Sequence, residues 1–117
     1  MVFYNGVLMA LTDWHVAHGD RGFAYGDGFF ETMTAYVLRP RLFGLHLERL
    51  RTALTMSGMD LSQFPDEEAL LAQLNTLRES NRVSGRARIK LSCWRESGGR
   101  YRPTNAGMHY LLELRAG

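Results

Sequence analysis

Residues 25–33 read YGDGFFETM, and the residues after the two glycines decide the fold. Gly26 and Gly28 begin like a dinucleotide-binding fingerprint, but the third glycine of that motif falls on Glu31, and the motif must open a helix. Phe29, Phe30, Thr32, Thr34 and Tyr36 are aromatic or β-branched, so the turn opens a strand instead. The chain has no Gly-Lys-Ser or Gly-Lys-Thr, which removes a P-loop as well. The glycines are therefore expected to bend the backbone tightly or to let something approach it closely.

A strand here has two faces. Glu31 and Met33 share one; Phe30, Thr32, Thr34 and Tyr36 share the other. Glu31 is expected to point inward and to be satisfied by hydrogen bonds. The β-prone stretch extends over residues 29–38, Arg39-Pro40-Arg41 breaks it, and Leu42-Phe43 is expected to return as a short strand. Upstream, residues 3–8 read as a hairpin whose Asn5-Gly6 supplies the positive φ angles of a type I′ turn, followed by an irregular segment over residues 11–18.

Downstream, residues 45–57 carry Leu47, Leu50 and Leu54 as a helical stripe, with Gly58 as its stop. Pro65 and Asp66-Glu67-Glu68 suit the start of a second helix over residues 66–80, with Leu70, Leu71, Leu74 and Leu77 buried. Residues 86–95 then alternate, Ala87, Ile89, Leu91 and Cys93 against Arg88, Lys90, Ser92 and Trp94, and residues 110–114 form a last strand. Strands, two helices and strands again predict a single α+β domain over residues 1–117, with an antiparallel sheet and two helices packed on one face.

Composition narrows the function classes. Hydrophobic content of 45% and charged content of 22% are those of an ordinary globular domain. No apolar run is long enough to span a bilayer, and MVFYNGVLMALTD lacks the pattern of a secretory leader. The single cysteine, Cys93, excludes an internal disulfide and a cysteine-based metal site, so a cytoplasmic location is expected. His15 and His18 have a chelating spacing beside Asp20, but Gly19 and the missing helical period argue against a metal site. Arg78, Arg82, Arg86, Arg88, Lys90, Arg95, Arg100 and Arg102 cluster, either as an anion-binding surface or as a solvated face. With neither a reading helix nor an aromatic RNA motif, nucleic acid is not the expected partner.

Three ordered motifs carry a resemblance. Asp20-Arg21-Gly22-Phe23, Tyr25-Gly26-Asp27-Gly28-Phe29-Phe30-Glu31-Thr32 and His46-Leu47-Glu48-Arg49-Leu50, with Asn5-Gly6 before them and Arg95 and Gly98-Gly99-Arg100 after, resemble the start of the fold-type-IV pyridoxal-phosphate enzymes. That family contains branched-chain and D-amino-acid aminotransferases and aminodeoxychorismate lyase. The resemblance implies the small domain of the D-amino-acid aminotransferase-like fold and pyridoxal 5'-phosphate as cofactor. It implies that Arg49 binds the cofactor phosphate, a role suited to a planar guanidinium that can hold two oxygens at once. It further implies that Phe30 and Thr32 line the substrate pocket with Tyr25 at its rim, and that Lys90 and Arg95 lie near the substrate carboxylate. Taken alone, Arg49 reads as a surface arginine, and Phe30 reads equally well as plain core.

The family's covalent cofactor lysine lies in a second, C-terminal domain, and Lys90, the only lysine here, aligns with a substrate-side strand. The 117 residues are thus expected to be an N-terminal small domain, inactive alone, with no catalytic residue of its own. The full protein is expected to be a homodimer that transfers an amino group between amino-acid and keto-acid substrates. Two alternatives stand beside this: an aminodeoxychorismate lyase that releases pyruvate to form 4-aminobenzoate, and an inert binding or dimerisation module. Lys90 and the Gly-Gly-Arg loop lean toward the lyase, whereas Glu96 and Tyr101-Arg102-Pro103 depart from its usual pattern.

Overall fold

The computed structural model describes residues 1–15, 28–96 and 107–117. Strands β1 (Val2–Tyr4), β2 (Val7–Met9), β3 (Gly28–Ala35), β4 (Ala87–Arg95) and β5 (Met108–Ala116) form one sheet in the order β2-β1-β5-β4-β3, and every pairing is antiparallel. Helices α1 (Phe43–Met56) and α2 (Glu67–Ser80) lie between β3 and β4 in the chain. This is the expected α+β arrangement. In the first hairpin Asn5 and Gly6 have φ of 51° and 82°, the pair of positive angles that a type I′ turn needs. Asn5 also exchanges hydrogen bonds with the Tyr110 backbone, which ties the hairpin to β5.

The helices cover one face of the sheet. Met33, Ala35, Ile89, Leu91, Cys93, Leu112 and Leu114 meet Phe43, Leu47, Leu50, Leu54, Leu70, Leu74 and Leu77 in one core. Asp66 caps α2 by accepting a hydrogen bond from the Ala69 amide, and Gly58, at φ 76°, turns the chain out of α1. Burial pushes the Cys93 thiol up to about 12, as befits a cysteine used as packing.

Two local expectations need correction. Leu42-Phe43 is not a strand: Leu42 is the residue before α1, at φ 56°, and Phe43 is its first residue. Phe43 is buried and falls on the same stripe as Leu47, Leu50 and Leu54, so the helical period reaches further back than residue 45. The β3 strand stops at Ala35 rather than reaching residue 38. Its partner β4 begins at Ala87, opposite Ala35, and among the described residues Tyr36, Val37 and Leu38 beyond that point have no strand to pair with and stay exposed.

Of the two glycines in the turn, Gly28 serves close approach. It pairs with Trp94 across the sheet, and a Cβ placed on it lies 2.6 Å from the Cys93 carbonyl oxygen and 2.8 Å from the Trp94 Cβ. The group that approaches this glycine is β4 itself. Gly26 and Tyr25 lie outside the described residues.

On the far side of the sheet, Val2, Trp94 and Leu111 form a second, smaller cluster with Tyr4, Met9 and Trp14. Two arginines of the expected cluster, Arg78 and Arg95, are internal rather than solvated. Arg78 donates to the carbonyls of Val83, Gly85 and Ala35, and Arg95 donates to that of Ser57. No helix among the described residues is long and apolar enough to cross a membrane.

Candidate functional site

The candidate residues other than Tyr25 and Arg95 fall into two groups, separated by the sheet. The first group joins β3 to α1. Glu31 takes the inward parity of Met33 and Ala35, and its side chain is 11% exposed. His46 and Arg49 stand one turn apart on α1 and both reach it. Arg49 Nε donates to both Glu31 oxygens at 3.1 Å, and Nη2 donates to Oε1 at 2.6 Å. His46 Nδ1 lies 2.7 Å from Oε1; since an ionised carboxylate only accepts, His46 carries a proton on Nδ1.

Burial alone would raise the Glu31 carboxyl's pKa. The hydrogen bonds from Arg49 and His46 outweigh that and hold it below its ordinary value. The Arg49 guanidinium is in turn raised by its hydrogen bond to Glu31. Yet the Arg49 side chain remains 71% exposed, and among the described residues its Nη1 has no hydrogen-bond partner. One edge of the guanidinium is held by the protein and the other faces outward.

The second group lies on the face of the sheet away from the helices. Phe30 is 60% exposed, Thr32 pairs with Lys90 across β3 and β4, and Lys90 pairs with Glu113 of β5. The Lys90 ammonium sits 4.6 Å from the centre of the Phe30 ring, a cation–π contact. These side chains, with Arg88 and Arg115, border an open groove of about 690 Å³. Apolar, hydroxyl and cationic groups meet at this groove, with the Glu113 carboxylate across from Lys90.

Arg95 does not join Lys90. Five positions separate them, so they point to opposite faces, and Arg95 is 6% exposed. Tyr25 lies outside the described residues, as do His18 and Asp20 of the weighed metal spacing. Glu31 is internal, as its parity predicts, but its grip on Arg49 goes beyond that expectation. The signals for it are the inward parity of Glu31 and the three-residue spacing of His46 and Arg49.

Over 93 residues, 79% of its length, the chain is 33% identical to an aminodeoxychorismate lyase of Bacillus subtilis and covers 31% of it. It is also 33% identical over 84 residues, 72% of its length, to a D-alanine aminotransferase of Staphylococcus epidermidis, of which it covers 29%. Its structure superposes on that of a 4-amino-4-deoxychorismate lyase from Pseudomonas aeruginosa with a TM-score of 0.77 and 30% identity, over 99% of this chain and 40% of that one. The chain thus spans about a third of the length of the curated relatives it matches. No family model matches it.

Proposed function

Because the chain belongs, over the residues it matches, to the fold-type-IV aminotransferase and aminodeoxychorismate lyase family, we propose that it serves as the N-terminal small domain of a pyridoxal-phosphate enzyme. The observation that carries this reading is the Arg49 guanidinium, gripped on one edge by Glu31 and open on the other. An exposed, oriented, permanently charged fork fits a phosphate dianion. When bound, pyridoxal phosphate supplies an aldehyde that takes up an amino group and a ring that withdraws electrons from the neighbouring carbon. The lysine that holds it covalently belongs, in this proposal, to a second domain outside these residues.

The chain's own contribution is binding and orientation. Arg49 anchors the phosphate. Phe30 and Thr32 form one wall of the substrate pocket with Tyr25 at its rim, and Lys90 meets a substrate carboxylate. The same role for Arg95 requires its guanidinium to leave the Ser57 carbonyl. The substrate is an amino acid and its keto-acid partner, and the working protein is a cytoplasmic homodimer that binds neither nucleic acid nor membrane.

A second reading, the aminodeoxychorismate lyase, draws support from Lys90 beside Phe30, since a cation over an aromatic wall suits a cyclic substrate bearing carboxylates. Assaying the complete protein with branched-chain amino acids, D-alanine and aminodeoxychorismate separates the two. The cofactor reading is tested by Arg49→Ala. It should weaken pyridoxal phosphate binding about 10- to 100-fold, the worth of a charged hydrogen-bond pair. Unchanged affinity would leave the reading without its anchor.

A further inference from the structure

We propose that Glu31 is a positioning residue that aims Arg49 at the cofactor phosphate, an inference that rests on the phosphate reading of Arg49. A side chain as exposed as that of Arg49 ordinarily samples many rotamers, and fixing it costs entropy at the moment a ligand binds. Here the cost is met in advance. Both Glu31 oxygens hold the Nε–Nη2 edge, at 2.6 to 3.1 Å. The guanidinium is planar and rigid, so fixing that edge fixes the direction of Nη1.

Glu31 can act as the fixed point because it is itself held from two sides. Its backbone is paired with Leu91 of β4, and its Oε1, besides its bonds from Arg49, accepts one from His46. Strand and helix thus converge on one carboxylate, and the free end of the guanidinium points away from it.

The chemistry allows a sharp choice, since a carboxylate beside Arg49 also cancels part of its charge. If Glu31 only neutralised Arg49, removing its charge would strengthen binding of a phosphate. If Glu31 positions Arg49, removing it weakens that binding.

The experiment measures equilibrium dissociation constants of pyridoxal phosphate and of phosphate-free pyridoxal in the complete protein. The pyridoxal constant divided by the pyridoxal phosphate constant isolates the phosphate's contribution. Glu31→Gln keeps the shape but loses the second acceptor and the charge; it should lower the ratio about tenfold while leaving pyridoxal binding unchanged. Arg49→Lys keeps the charge but lacks the fork that Glu31 grips, and should lower the ratio similarly. Arg49→Ala tests the premise. If Arg49→Ala leaves the ratio intact, the phosphate reading itself is wrong. If Arg49→Ala lowers it but Glu31→Gln leaves it unchanged or raises it, the positioning role is overturned. Circular dichroism checks that Glu31→Gln folds. Should it not fold, a wild-type ratio in Arg49→Lys overturns the inference equally.

Discussion

Replacing Gly28 by Ala adds a single methyl group at the first residue of β3, and the structure makes that group expensive. Its nearest neighbours are the Cys93 carbonyl oxygen at 2.6 Å and the Trp94 Cβ at 2.8 Å. Ordinary contact needs about 3.4 Å or more, and real Cβ atoms essentially never come under 3.0 Å. The obstacle is backbone, and it belongs to β4, which is paired on both sides. It cannot give way as the end of a flexible side chain could. The edge strand β3 must retreat instead, at a cost of about 2–3 kcal/mol in the range of overpacked cores. For a domain of this size that corresponds to a fall of roughly 8 °C or more in the thermal midpoint.

The assay is chemical or thermal denaturation followed by far-UV circular dichroism, with Gly44→Ala as the contrast. Outside its own helix, Gly44 has no described residue within 4 Å of an added Cβ, so alanine there should be neutral or stabilise by up to about 1 kcal/mol. A Gly28→Ala protein as stable as the wild type would show that β4 does not block a side chain at this position. Equal losses at both positions would show the same.

Two further predictions concern buried polar groups. Arg78→Met removes the only cation bonded to the Val83, Gly85 and Ala35 carbonyls among the described residues. It should destabilise the fold by about 3 kcal/mol in denaturant titrations, since the buried Ala35 carbonyl and the part-buried Val83 and Gly85 carbonyls lose a charged donor. Glu31 is held below its ordinary carboxyl value, so the native state binds fewer protons than the unfolded one. Its contribution is fully present above the unfolded value near 4.5 and is lost as pH falls through the folded value. Stability measured below pH 5 should therefore fall less steeply in Glu31→Gln than in the wild type.

Much of the fold is legible in the sequence because period and burial agree. The alternation from Ala87 to Cys93 and the leucines at 47, 50 and 54 each bury the face they predict. The errors lie where tertiary partners decide. Tyr36 to Leu38 look like strand but lie beyond the start of β4, and Phe43 looks like strand until the core draws it into α1. Trp94 shares its face with Lys90, yet it is buried by the N-terminal segment, which alternation within one strand does not reveal. Charge misleads most. Arg78 and Arg95 read as members of a cluster that either binds anions or is solvated, but Arg78 reaches the Ala35 carbonyl and Arg95 that of Ser57.

At the site, residue-by-residue reading finds the pieces without their arrangement. The spacing of His46 and Arg49 and the parity of Glu31 are visible separately. Only the packing of α1 against β3 closes them into one cluster, and only the sheet's two faces separate Arg49 from Lys90.

If Arg49 meets a phosphate with the edge that Glu31 leaves open, a crystal structure of the complete protein with pyridoxal phosphate will show it. A phosphate oxygen should lie about 2.8 Å from Arg49 Nη1, with Glu31 still bonded to Nε and Nη2. A phosphate bound away from Arg49, or one that displaces Glu31 from the guanidinium, would contradict that geometry.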